Sequence, residues 1–226
     1  MKILAVDTST MITSIAVLED DLIVGEYSIN QSKTHSEMLL PMIGDVLERL
    51  GFKLKDIDAF AVAIGPGSFT GLRIGVTAVK TMAQVLDKPV IGISTLEALA
   101  YGVYSEAIIV PVIDARGKRI FTAGYKWEKD KFINIKEERL TTVDELSIDL
   151  KDNNIVLVGD ALEKFSDLGS NVRLATPNLN NCISKNIAVL AKKRFEDGDF
   201  DDYFTLLPNY LRKSQAEIDF GKKLCN

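Results

Sequence analysis

The sequence predicts an α/β protein made of two lobes with the same order of elements, and two observations predict it. Short apolar runs with strand patterning alternate with amphipathic segments of helical period. The order itself then restarts. A three-strand meander followed by alternating helices and strands occupies the first part of the chain, and a second meander begins near residue 107. In both parts the first strand ends in an aspartate, Asp7 and Asp114, and the next strand rises after a short turn. That doubled order is the signature of a duplicated ribonuclease-H-like fold, the two-lobed architecture of actin, sugar kinases and Hsp70 (the actin-like ATPase, or ASKHA, fold). The expected lobes are 1–104 and 105–200, with a C-terminal segment, 201–226, packing on them.

The elements follow in order. The segments 3–7, 12–18 and 22–29 read as strands joined by short links, the last two by the acidic turn Glu19-Asp20-Asp21. Met38, Leu39, Met42, Ile43, Val46, Leu47 and Leu50 recur at helical spacing and predict a helix over 35–50. Thr34 with Glu37 reads as its capping box and Gly51 as its stop. Pro41 lies past the first turn, so a bend or a later start is expected there. Residues 58–65 form a buried-strand pattern, 70–86 a helix and 89–94 a strand. Ser94 with Glu97 caps a helix reaching about 103. The second meander takes 107–115, 119–127 and 132–140. A helical segment follows at 142–151, then a strand at 155–160, a short helix, a strand at 172–175 and a helix over 182–197. The Leu-Leu-Pro-Asn-Tyr-Leu run in the tail is apolar enough to pack, and the last six residues are expected to fray.

Composition narrows the function classes. With 226 residues, 46% of them hydrophobic and 26% charged, the chain can bury a substantial core. It has no run of eighteen apolar residues, so no membrane span is expected, and its opening residues read as a strand, not a signal peptide. Cys182 and Cys225 show no CxxC spacing, which fits a reducing, cytoplasmic setting without a disulfide framework or zinc knuckle. The net charge is −5, whereas a protein that grips nucleic acid alone usually carries a basic surface. The basic residues at 118–120 and at Lys222 and Lys223 are too sparse to reverse that. Direct binding of tRNA or DNA by the isolated chain is therefore not expected.

The densest motif is IGPGSFTGLRIGV, residues 64–76, with four glycines. It misses the dinucleotide fingerprint because its third glycine comes one position late, and it lacks the lysine of a P-loop. Gly65-Pro66-Gly67 reads as a tight turn leaving a buried strand, with Ser68 or Thr70 as the N-cap of the next helix. Gly71, Gly75 and Ala78 then fall on one helical face, where small residues let another helix pack backbone-close. Leu40, Pro41 and Gly44 form a second strip, off the core stripe of the 35–50 helix.

Active members of the duplicated fold hold ATP between the lobes on glycine-containing strand turns. Here the first turn, Asp7-Thr8-Ser9-Thr10, has no glycine, and the second, Asp114-Ala115-Arg116-Gly117, has one placed late. Asp7, Thr8 and Asp114 are the candidate nucleotide or metal contacts, with simple capping of the strand turn the favoured reading for Asp7 and Thr8. His35 is the chain's single histidine, too few for an HxxxH metal pair or a Ser/His/Asp triad. Cys182 opens a helix but has no recognisable base. No catalytic or metal-ligating set is expected.

Several motifs together carry a family resemblance. Asp7-Thr8-Ser9, His35-Ser36-Glu37 with Leu39-Leu40-Pro41, the glycine motif from Gly65 to Gly75, Ser94-Thr95-Leu96-Glu97-Ala98-Leu99-Ala100, Asp114-Ala115-Arg116 and Leu207-Pro208-Asn209-Tyr210-Leu211-Arg212 stand in the order and spacing of the bacterial TsaB family, once called YeaZ. The resemblance spans essentially the whole chain. It implies a part in forming N6-threonylcarbamoyladenosine in tRNA, as the non-catalytic paralogue of TsaD. TsaD holds its metal through an HxxxH pair, and here Thr95 and Leu99 stand at those positions. Leu99 cannot ligate a metal. The implied partners are a TsaD-type subunit and a TsaE-type ATPase, with a homodimer through the same face when TsaD is absent and tRNA reached only through the complex. No cofactor is expected in this subunit itself, with ATP or ADP left open at the subunit junction. The competing reading is an autonomous ATP-using small-molecule kinase or ATPase of the same fold. A metalloprotease, an older label for the wider family, is a third.

Overall fold

The computed structural model describes residues 1–30, 35–151, 153–166, 168–181 and 183–212. The first meander is β1 (Lys2–Asp7), β2 (Thr13–Glu19) and β3 (Leu22–Ile29), followed by α1 (His35–Leu50), β4 (Ala59–Gly65), α2 (Phe69–Leu86), β5 (Val90–Ser94) and α3 (Thr95–Tyr101). The second is β6 (Ile108–Asp114), β7 (Arg119–Glu128) and β8 (Lys131–Thr142), followed by α4 (Val143–Asp149), β9 (Ile155–Val158), β10 (Val172–Leu174) and α5 (Ser184–Glu196).

Each part forms one five-stranded sheet, and the two sheets share a strand order. The first runs β3-β2-β1-β4-β5 and the second, read in the matching direction, β8-β7-β6-β9-β10. Within each, the meander pairs antiparallel, and the two later strands pair parallel to the first. This is the two-lobed, ribonuclease-H-like arrangement expected from the doubled sequence order. Strands β1 and β4 are apolar on both faces because both faces are covered.

The covering layers explain the helix patterns. On the outer face of the first sheet, Leu39, Met42, Ile43, Val46 and Leu47 of α1 join Val76, Val79, Met82 and Ala83 of α2 over Leu4, Val6, Ile15, Phe60 and Val62. The inner faces of both sheets meet in one continuous core with α3 and α5. Here the two lobes exchange helices. Helix α5, from the second part of the chain, lies along β1, β2, β4 and β5, while α3, from the first part, packs on β6 and β7. Leu146 of α4, with Leu150 beyond it, covers the outer face of the second sheet.

Two elements differ from the sequence reading. Helix α1 begins at His35 and runs through Pro41 as one element, without the later start. Pro41 sits on the exposed side, where water can take the carbonyl that loses its donor. The short helix between β9 and β10 is a single 3-10 turn, Leu162–Lys164, so the second lobe lacks a counterpart of α2. The half of the α1 capping box at Thr34 lies outside the described residues, as do Cys182, Lys222, Lys223 and Cys225. No helix among the described residues is long and apolar enough to cross a membrane.

Candidate functional site

The strand turns of the two lobes face one another across a cleft of about 340 Å³. On the first turn, Asp7 is 2% exposed, and its Oδ1 accepts from the Ser9 amide at 2.8 Å and the Ser9 hydroxyl at 2.6 Å. Burial pushes its carboxyl up to about 6, with the two Ser9 bonds pulling the other way. The Thr8 hydroxyl donates to the carbonyl of Gly71 at 2.7 Å, and the Ser68 amide donates to the carbonyl of Ser9 at 2.7 Å. Ser68 is also the N-cap of α2, its hydroxyl accepting from the Gly71 amide at 3.3 Å. The first turn is thus bonded directly to the start of α2.

That docking is what the glycines serve. A Cβ on Gly71 would fall inside 3.0 Å of the Thr8 carbonyl oxygen, and one on Gly75 inside 3.0 Å of the Thr8 hydroxyl. Both residues are buried. The expectation that Gly71 and Gly75 offer an outward strip for another helix is therefore corrected. The close approach is real, but its object is the β1–β2 turn of the same lobe. Ala78 is half-buried against the outer core. The other strip lies outside the core: Leu40 is 60% exposed, and Pro41 and Gly44 are exposed beside it on α1. His35, half-buried at the start of α1, meets the Thr13 hydroxyl at 2.7 Å through Nδ1. Burial lowers its pKa, a Thr10 backbone bond partly opposing.

On the second turn, Asp114 accepts from the Lys164 ammonium and from the Arg116 amide. Burial pushes its carboxyl up, but these donors more than offset that and hold it below its ordinary value. Lys164 also donates to the carbonyl of Gly117 at 2.8 Å. Asp160, at the end of β9, accepts from the Asp114 amide at 2.9 Å, and burial raises its pKa. Deeper in the junction, Asp7, Thr95, Leu99 and Asp160 enclose a cavity of only about 10 Å³.

The C-terminal segment crosses this junction. The Asn209 amide donates to the Ile64 carbonyl at 2.7 Å in the first lobe, while its side chain donates to Glu138 at 3.0 Å in the second. Tyr210 stacks on Phe69 with centroids 4.0 Å apart, and its hydroxyl accepts from Arg73 at 3.0 Å. Arg212 donates to the carbonyl of Ala115 at 2.9 Å. These residues form part of the cleft wall.

A nucleotide with its metal would need amides and a carboxylate turned outward from both turns. The residues present do not fit that demand. Asp7 is bonded to Ser9, Thr8 to Gly71 and Asp114 to Lys164, and the space over the α2 glycines is filled by Thr8, by its carbonyl at Gly71 and its hydroxyl at Gly75. Among the described residues, no group of three or more His, Cys, Asp or Glu is placed to hold a metal ion. Sequence reasoning found Asp7, Thr8 and Asp114 but missed Lys164, Asp160 and the Tyr210–Phe69 stack. The signal for Asp160 was Gly159-Asp160 leaving β9, the position at which Gly65 leaves β4.

A family model described as "TsaD: tRNA N6-adenosine threonylcarbamoyltransferase" matches residues 23–220. The chain is 33% identical over 225 residues to the tRNA threonylcarbamoyladenosine biosynthesis protein TsaB of Bacillus subtilis (strain 168), covering 96% of each. It is 29% identical over 224 residues to the protein of that name from Escherichia coli (strain K12), again with 96% of each covered. The solved structure of YeaZ from Pseudomonas aeruginosa matches with a TM-score of 0.80 at 26% identity, over 93% of this chain and 99% of that one.

Proposed function

The chain belongs to the TsaB (YeaZ) family, and from that premise we propose that it is the non-catalytic subunit of the assembly that makes N6-threonylcarbamoyladenosine in tRNA, lending the exposed face of α1 to a TsaD-type partner. One observation carries the reading. The polar groups of the cleft turns are engaged within the chain, whereas Leu40, Pro41 and Gly44 leave an apolar, small-residue strip on α1 that the core does not use. A Cβ added at Gly44 would meet nothing within 4 Å, so a partner helix can approach its backbone closely. A TsaE-type ATPase joins the same assembly, a second copy of the chain takes the α1 face when the partner is absent, and tRNA is reached only through the complex. A nucleotide in the assembly would sit at the subunit junction, outside this chain's own cleft.

The test is reconstitution with TsaD-type and TsaE-type subunits, tRNA, threonine, bicarbonate and ATP. Gly44→Arg and Leu40→Glu are each expected to weaken partner binding by about 100-fold, the loss of a central interface contact, and to abolish tRNA modification. Their melting temperatures should stay near that of the wild type because both positions are exposed. Unchanged binding by both variants would remove α1 as the docking face. Modification that proceeds equally well without this chain would remove the subunit role.

A further inference from the structure

A second cavity, about 360 Å³, opens between α3, α5 and the β7–β8 hairpin and shares no lining residue with the cleft. One wall is aromatic. Trp127 lies 5.3 Å from Tyr101 and 5.0 Å from Phe132, ring centroid to centroid, and Tyr101 meets Phe132 edge-on at 5.3 Å. Glu97, from the first turn of α3, lines the same space.

The environment of Glu97 is unusual for a carboxylate at that position of a helix. Ser94 caps α3 by accepting from the Glu97 amide at 3.2 Å. In a complete capping box, such as Thr142 with Glu145 on α4, the acidic side chain returns to the N-cap amide. Glu97 makes no such return, and among the described residues its carboxylate has no hydrogen bond or ion pair. The neighbouring cation Arg194 is already held by Asp199, Asp201 and the carbonyl of Gly92. Lys193 is exposed at the rim, where Asp130 and Asp197 add negative charge. Burial raises the Glu97 carboxyl, the Glu138 carboxylate adds to that, and Arg194 and Lys193 partly oppose it.

A partly buried carboxylate without a partner beside a wall of aromatic faces is matched by a cation with a carbon body. The head group supplies the charge-assisted hydrogen bond, and the hydrocarbon covers the rings, whose faces also attract positive charge. The volume lies in the range of small-molecule sites. We propose that this cavity binds a small aliphatic amine, its ammonium paired with Glu97 and its chain lying along Trp127, Tyr101 and Phe132.

Trp127 is the chain's only tryptophan, so its emission reports occupancy directly. The full chain is titrated at neutral pH with butylammonium and with 1,4-diaminobutane, and with 1-butanol as the neutral control. Both amines are expected to give a saturable change in Trp127 emission that butanol does not. Glu97→Gln, which keeps shape and removes charge, is expected to weaken both by about tenfold or more. The proposal is overturned by the absence of a saturable response to either amine, by an equal response to butanol, or by unchanged affinity in a folded Glu97→Gln. Should that variant fail to fold, the amine-against-butanol contrast in the wild-type chain decides the question alone.

Discussion

Gly71→Ala is expected to cost at least about 3 kcal/mol of stability, the largest loss from any single added methyl group at the α2 glycines. The new Cβ would overlap the Thr8 carbonyl oxygen, a backbone atom. Moving that carbonyl would disturb the Thr8–Gly71 and Ser68–Ser9 bonds on either side of it. Gly75→Ala should cost less, because the overlapped atom is the Thr8 hydroxyl, which can turn away at the expense of one hydrogen bond. Gly44→Ala should do the opposite and stabilise by about 0.5–1 kcal/mol, since an exposed helical glycine with open space around it gains only helix propensity. Urea denaturation of the three variants checks the order. A near-neutral Gly71→Ala would refute the docking of α2 on the β1–β2 turn.

Asp7→Asn is expected to raise stability at pH 7.5 by on the order of 2–3 kcal/mol, the cost of keeping the ionised carboxylate buried. The folded chain holds the Asp7 proton up to about pH 6, against an ordinary value of 3.8. Between those values the native state binds more protons than the unfolded state, so stability falls as pH rises through the window. Asparagine keeps an acceptor for the two Ser9 bonds and carries no charge to bury. The advantage of the variant should therefore shrink on acidification and vanish by about pH 4. Asp114 has the opposite sign, since its lowered pKa contributes stability that is lost as pH falls. For that reason the measurement is the difference between variant and wild type across pH. A difference that stays flat from pH 4 to 7.5 would show that Asp7 does not carry a buried charge.

The order of elements along the chain and its repetition were legible because each rests on local pattern: apolar runs, helical periodicity and turn residues repeated at matching places. Ser94 was legible as a cap for the same reason, and Ser68 as one of two candidates with Thr70. The glycine motif was legible only in part. Its spacing announces a close approach but carries no information on what approaches, and here the neighbour is a backbone carbonyl, which any residue type can supply. The strip on α1 was legible as lying off the core stripe because Leu40, Pro41 and Gly44 fall outside a well-populated apolar pattern, whereas its exposure is visible only in the fold. The engagement of Asp114 by Lys164 and the placing of Glu97 and Trp127 around one cavity were not legible. Each joins side chains on different elements, 50 residues apart in sequence for the first pair, that only the tertiary fold brings together.

The crossing of α3 and α5 has a consequence for how the molecule is made. Synthesis delivers the first sheet long before α5, the helix that shields its inner side, leaves the ribosome. Until then Ile3, Ala5, Ala61 and Ile93 have no lid of their own, so a nascent half-length product is a sticky intermediate in need of a chaperone. Cutting the gene at the boundary between the repeats would not yield two autonomous modules, but two fragments that must find each other to become folded at all.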